Sequence, residues 1–140
     1  MRWISSEGGP LALVAREYLP AWRGAEGDDY ERACAVDGYA GVIDVRGSQA
    51  LILGDEPCQT SIYQSAALGL LIVRWQWAED EESVQQAIEK LVAADFKNPE
   101  EEIEYRVDDE SLALFDAVTP GDESAGLALE LPVARYVVPT

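Results

Sequence analysis

The sequence contains no histidine and few cations of any kind. Ten Lys and Arg residues stand against 27 Asp and Glu residues, so the 140-residue chain has a formal net charge of −17. Without histidine, Ser-His and Cys-His nucleophilic sites cannot be built, and the commonest zinc ligand is missing. Reactions and metal sites that use carboxylates alone remain open on composition.

The excess of negative charge limits the partners that the chain can bind. It repels phosphate backbones and anionic lipid headgroups, so we expect no binding to nucleic acid or to membranes. No run of apolar residues reaches the ~18 residues of a membrane span. Residues 1–5 lack the apolar run of a secretory signal, which predicts a cytoplasmic protein whose two cysteines, Cys34 and Cys58, are free thiols.

The order of the predicted elements is typical of a single α+β domain over residues 1–140. Gly and Pro are scattered singly, and neither a repeat nor a low-complexity linker divides the chain. We expect a twisted, mostly antiparallel sheet with one long amphipathic helix packed on it. Strand-like segments occur at residues 11–15, 42–46, 49–53, 58–64, 69–77, 104–107, 111–117 and 127–138.

The long helix is predicted to begin after Asp80, which is a suitable N-cap residue. Apolar residues then recur at helical spacing on one stripe, and Asn98 with Pro99 ends the helix. The stripe consists of Val84, Ala87, Ile88, Leu91 and Val92.

Turn residues predict two local strand pairings. Gly47 and Ser48 suit a type II′ hairpin turn, which would pair Val45 with Ala50 and leave apolar residues on both faces. The turn at residues 8–10 would bring residues 2–5 back onto residues 11–15. The segment 69–77 is apolar on both faces, which is typical of a central strand, and Arg74 within it needs a partner.

Several short motifs follow one another in an order that points to one family. They consist of Trp3, Gly8, Gly9 and Pro10, then Asp29, Tyr30, Arg32 and Cys34, then Gly54, Asp55 and Pro57, and finally Phe115 and Asp116. In order and spacing, these residues resemble the immunity protein family 21 of bacterial polymorphic toxin systems. The resemblance implies a non-enzymatic α+β protein that binds a toxin encoded beside it and protects the producing cell.

Two acidic runs and one tryptophan are the predicted contacts with a partner. A cationic protein would be steered to such runs, and an exposed Trp is a common interface anchor. Solvation of the runs and core packing of Trp75 and Trp77 are the structural alternatives. The predicted partner-binding residues are Trp77, Glu79, Asp80, Glu81, Glu82, Asp108, Asp109 and Glu110. We predict no catalytic, cofactor-binding or metal-binding residues.

The leading hypothesis is therefore a protein that blocks a cognate toxin, for which a basic nuclease is a candidate. Two other classes remain open. An acidic mimic of nucleic acid would carry its carboxylates in a row along one face, and a carboxylate-dependent hydrolase would need two convergent carboxyl groups in a pocket. Asp55 and Asp116 are carboxylates of interest, although an Asp at a turn more commonly accepts backbone N–H bonds.

Overall fold

The chain forms a mostly β structure built around one central sheet. The computed structural model describes residues 2–54, 59–75, 78–99, 101–123 and 126–140. Within these ranges there are nine strands: β1 (Leu11–Ala15), β2 (Ala40–Val45), β3 (Ser48–Leu53), β4 (Gln59–Ser65), β5 (Gly69–Trp75), β6 (Glu102–Val107), β7 (Ser111–Asp116), β8 (Leu127–Glu130) and β9 (Ala134–Pro139). Two α-helices, α1 (Asp29–Cys34) and α2 (Glu81–Glu89), and four 3₁₀ turns complete the described elements. No helix in these ranges has the length and apolar character to cross a membrane.

The central sheet has five antiparallel strands in the order β2-β3-β1-β7-β8. β1 lies in the middle, where Leu13 is paired with Leu51 of β3 on one side and with Leu114 of β7 on the other. All five residues of β1 are apolar and at most 2% exposed. A strand that is apolar at every position needs cover on both faces of its sheet.

Each face of the central sheet carries its own apolar cluster. Leu11, Leu13 and Ala15 point into the first cluster, which the β4–β5 hairpin and the two-stranded β6–β9 sheet cover with residues such as Ile62 and Tyr105. The alternate residues of β1 point into the second cluster, which residues 16–36 cover. The middle of the sheet around β1 is therefore covered on both faces, whereas the edge strands keep exposed residues such as Asp44 of β2 and Glu130 of β8.

Trp22 is the largest side chain of the second cluster and is fully buried. Its ring meets the ring of Phe115 edge to face, with 6.0 Å between the centroids. Its indole N–H donates to the carbonyl oxygen of Ala117 at 3.0 Å, which satisfies the one polar atom of the side chain. The segment that precedes α1 is thereby anchored to the sheet.

The prediction of a sheet with one long helix is wrong, because α2 has only nine residues. Asp80 caps it as expected, but Val92 is extended and 54% exposed, so it does not continue the apolar stripe. The Asp95 carboxylate accepts the Val92 N–H at 2.8 Å and begins a separate 3₁₀ turn (Ala93–Phe96). This local bond competes with the helix at the point where the helix ends.

The position of α2 also differs from the prediction. Its two buried apolar residues, Val84 and Ile88, belong to neither apolar cluster of the central sheet. The β4–β5 and β6–β9 sheets cover one face of the central sheet, and residues 16–36 cover the other. The helix is therefore peripheral to the sheet that it was expected to cover.

The β2–β3 hairpin is confirmed, but its turn and register differ from the prediction. Arg46 and Gly47 form the turn with φ of +50° and +86°, as a type I′ turn requires, and Val45 is paired with Ser48. The register is shifted by two residues from the predicted one. Because side chains alternate with a period of two, Val45 and Ala50 still share a face, and both faces are apolar as expected.

Two other predicted pairings are wrong. β1 is paired with β3 and β7, whereas the N-terminal segment contributes one isolated bridge, between Ile4 and Thr60 of β4. β5 is paired with β4 in a two-stranded sheet, so it is not a central strand. Its apolar side chains are half-buried because the β4–β5 hairpin packs on the first cluster.

Replacing Trp22 with alanine should lower the free energy of unfolding by about 3–5 kcal/mol, because the change leaves a large cavity against Phe115 and Ala117. Urea unfolding followed by circular dichroism measures the change. Val133→Ala is the control, because Val133 is 59% exposed and should change the value by less than about 0.5 kcal/mol. Equal losses in the two variants would contradict the placement of Trp22 in the core.

Candidate partner-binding surface

The N-terminal motif begins with a tryptophan that packs against the β4–β5 hairpin. Trp3 and Trp75 meet edge to face, with 5.9 Å between the ring centroids. Ile4 next to it exchanges backbone hydrogen bonds with Thr60 at 2.9 and 2.8 Å. These contacts favour packing as the role of Trp3 and Trp75. Trp77, the predicted anchor, lies outside the described residues.

The Gly8-Gly9-Pro10 segment forms a bend against α1. Gly8 has φ of +110°, a conformation that glycine adopts at little cost. Gly9 lies against the ring of Tyr30, and a Cβ at Gly9 would be 2.4 Å from the Tyr30 hydroxyl oxygen. Pro10 is buried, and its carbonyl accepts the Ala117 N–H at 3.1 Å. The first two motifs are therefore in direct contact, and glycine at position 9 permits that contact.

The second motif holds α1 to its surroundings. Asp29 is 8% exposed, and its carboxylate accepts the backbone N–H of Arg23 at 2.7 Å. The same carboxylate pairs with Arg32 at 3.4 Å, and Arg32 also donates to the carbonyl of Asp44 in β2. Cys34 carries a free thiol, as predicted, and the residue is exposed, whereas Cys58 lies outside the described residues.

The remaining motifs lie at strand ends. Gly54 follows β3, donates its N–H to Tyr39 at 2.7 Å, and accepts a hydrogen bond from Arg74 at 3.1 Å. Asp116 ends β7, and its carboxylate accepts the N–H groups of Glu7 at 3.0 Å and Val118 at 3.3 Å. These bonds confirm that Asp116 closes a turn.

Arg74 also donates to Thr60 at 3.2 Å and so has the partners that it was predicted to need. Asp55 and Pro57 lie outside the described residues.

The first acidic run surrounds the beginning of α2 and is exposed. The Asp80 carboxylate accepts the Ser83 N–H at 2.7 Å, and this bond lowers the pKa of Asp80. The indole N–H of Trp3 lowers the pKa of Glu81. Glu79 and Glu82 are also exposed. Asp80 therefore stabilises the beginning of α2 as well as carrying charge.

The second acidic run occupies the turn between β6 and β7. Asp108 pairs with Arg106 at 2.9 Å, and Asp109 accepts the Ser111 N–H at 3.0 Å. The pKa of Tyr18 is raised, first by the neighbouring Glu17 and to a smaller extent by Asp108 and Asp109. The carbonyl of Glu110 accepts the Leu131 N–H at 2.9 Å. Part of the negative charge of this run is therefore neutralised within the chain.

The two acidic runs lie at opposite ends of the central sheet. Residues 108–110 lie at the end where β7 begins. The first run lies towards the other end, where β7 ends. Glu81 of this run interacts with Trp3, and Ile4, the neighbour of Trp3 in sequence, lines a cleft of about 250 Å³ together with Asp116, the last residue of β7. The runs therefore do not form one continuous acidic row on the described surface. The described residues also contain no group of three or more Cys, Asp or Glu side chains placed to hold a metal ion.

Comparison with known proteins decides the family. The family model described as Immunity protein 21 matches residues 2–140, which is essentially the whole chain. The chain belongs to the Immunity protein 21 family. This confirms the resemblance that the motifs carry, and it gives the chain the role of an immunity protein, which acts by binding a cognate toxin. No curated protein and no solved structure matches the chain.

This Immunity protein 21 family member also exposes an apolar surface that the sequence analysis did not identify. Val133 and Val137 are 59% and 57% exposed, and both lie at or beside β9. The sequence of residues 133–138 gives a weak signal, because Arg135 is its one charged residue and apolar side chains fall on both faces. A strand covered on one face only usually shows a cleaner alternation of apolar and polar residues.

The Asp80 cap predicts a specific pH dependence. Because the folded pKa of Asp80 is below its ordinary value of 3.8, its contribution is present above that value and is lost as the pH falls through the lowered pKa. Asp80→Asn keeps a capping oxygen that does not titrate, so the stability of the wild type relative to this variant should fall below about pH 4.

Urea unfolding between pH 2.5 and 7 measures this difference. Asp28→Asn is the matched control, because Asp28 precedes α1 without making a side-chain capping bond. Parallel pH profiles for the wild type and Asp80→Asn would show that the cap does not act through the Asp80 carboxylate.

Proposed function

We propose that this protein neutralises a cationic toxin in the cytoplasm of the cell that produces both. It binds the toxin stoichiometrically and covers its active site or a neighbouring surface. The observation that carries the proposal is the family match over residues 2–140, which establishes the immunity role, together with a net charge of −17. A toxin that acts on nucleic acid carries a basic surface, and such a surface is complementary to this charge.

The charge supports fast association more than it supports a particular contact. The acidic runs lie at opposite ends of the sheet, so they extend the negative potential around the molecule. A potential of this kind raises association rates by about 10- to 1,000-fold at low salt. We therefore assign Glu79 and Glu82, together with the 108–110 turn, to long-range steering of the toxin.

The same arrangement does not favour the acidic mimic of nucleic acid. Such a mimic requires carboxylates spaced along one face in the manner of phosphates. In the described residues one run lies beside Trp3 and α2 and the other in the turn before β7, and Asp108 is paired with Arg106. Toxin binding is therefore the function that the sequence and the structure support best.

Co-expression with the product of the adjacent gene tests the proposal. That product alone should arrest growth, and this chain should restore growth and co-purify with it at a 1:1 ratio. The control is an unrelated acidic protein of similar size and net charge, which should not restore growth. A neighbouring product that is harmless when expressed alone, or protection without a complex, would contradict the proposal.

A further inference from the structure

The two-stranded β6–β9 sheet leaves one edge of β9 without a neighbouring strand among the described residues. Thr140 donates its N–H to Glu101 of the β6 side at 2.9 Å, and this bond sets the alternation along β9. Tyr136 and Val138 therefore direct their backbone groups to β6, whereas Arg135 and Val137 direct theirs outward. The described residues provide no hydrogen bond to the outward groups.

The opposite edge of the β6–β9 sheet, formed by β6, supports this alternation independently. In this alternation Arg106 and Arg135 lie opposite each other as a pair without hydrogen bonds between their backbones. The Arg106 N–H should therefore point away from β9. It donates to the side chain of Gln49 at 2.7 Å, on the side of β3. β6 is thus held against the central sheet, and β9 faces outward.

The exposed edge also carries apolar side chains. Tyr136 and Val138 pack against the first cluster, whereas Val137 projects to solvent and is 57% exposed. Val133, just before the strand, is 59% exposed. Open backbone groups next to exposed valines are the features that bind an additional strand, because the backbone supplies hydrogen bonds and the side chains supply buried area.

Other edges are less available. The Glu101 carboxylate accepts the Ala40 N–H at 3.3 Å, and Arg32 donates to the carbonyl of Asp44, so side chains cover part of the outer edge of β2. β8 has only four residues. The side chains of β5 are half-buried throughout. Among the described strands, β9 combines length, open backbone groups and strongly exposed apolar residues.

Charge indicates what the edge binds. Glu104 is exposed and lies directly opposite Val137 on the outward face of the β6–β9 sheet. The aliphatic stem of a Lys or Arg could cover Val137 while its charged end reaches Glu104. A second copy of this chain is opposed by the net charge of −17 on each copy, and Arg135 and Pro139 are residue types that discourage self-pairing of an edge.

We propose that β9 accepts an extended segment of the toxin as an added antiparallel or parallel strand, with a Lys or Arg of that segment over Val137 and beside Glu104. This inference rests on the proposed function, and it names the surface that performs it. The acidic runs bring the toxin close, and the edge of β9 makes the contact that holds it.

Amide hydrogen exchange, measured by NMR on the free protein and on its complex with the adjacent gene's product, tests the proposal. In the free protein the amides of Arg135 and Val137 should exchange rapidly, because they point away from β6, whereas those of Tyr136 and Val138 point towards it. In the complex the exchange of Arg135 and Val137 should slow by at least about tenfold.

Substitutions give a second measurement. Val137→Pro removes the outward N–H at an edge position that tolerates proline, and it should weaken the complex by at least about tenfold. Val137→Thr keeps the N–H and should lose less. Glu104→Gln should slow association and weaken the salt dependence of binding. If Val137→Pro fails to fold by circular dichroism, the exchange measurement on the unmodified protein still decides the proposal.

The outcomes separate the two proposals. A stable complex in which Arg135 and Val137 exchange as in the free protein overturns the β9 proposal and leaves toxin neutralisation intact. The lack of any complex overturns both. Protection that appears in the free protein as its concentration rises identifies a second copy as the occupant, and it overturns the assignment to the toxin.

Discussion

The central constraint on this structure is that β1 is apolar at every position and must be covered on both faces. Leu13 shows the consequence, because it is paired with Leu51 and Leu114 within the sheet and packs into the first cluster. The second face requires a separate cover, which Trp22 and the segment around α1 provide. One buried strand thus requires two covering layers. The two small sheets form the layer on one side, and the turn-rich N-terminal part forms the layer on the other.

Apolar packing and backbone pairing hold these layers together, so most of the carboxylates can lie on the surface, and a few of them support local structure. The motif residues that identify the Immunity protein 21 family are largely internal supports: Gly9 admits Tyr30, Asp29 binds the Arg23 N–H, and Asp116 closes a turn. The motif residues are therefore parts of the scaffold, whereas the proposed contact lies on β9, which the motifs do not include. Such a division would let one scaffold present different edges to different toxins.

Local signals in the sequence predicted local structure well and distant pairing poorly. The faces of the β2–β3 hairpin were predictable because a register error of two residues leaves every side chain on its face. The end of α2 was not, because the bond from Val92 to Asp95 competes with an apolar stripe that looks continuous in sequence. The partners of β1 lie about 40 and 100 residues along the chain, and no turn residue encodes them. The β9 edge was missed for a similar reason, since its exposure depends on which strands pair with it.

The central claim is that apolar packing carries the fold and that the negative charge serves association. The dependence of the free energy of unfolding on sodium chloride, for the free protein, tests this claim most directly. Salt screens the self-repulsion of a chain of net charge −17, so stability should stay constant or increase between about 10 mM and 500 mM, while the association rate with the toxin falls. A loss of stability over the same range would show that ion pairs hold the fold together and would contradict the account.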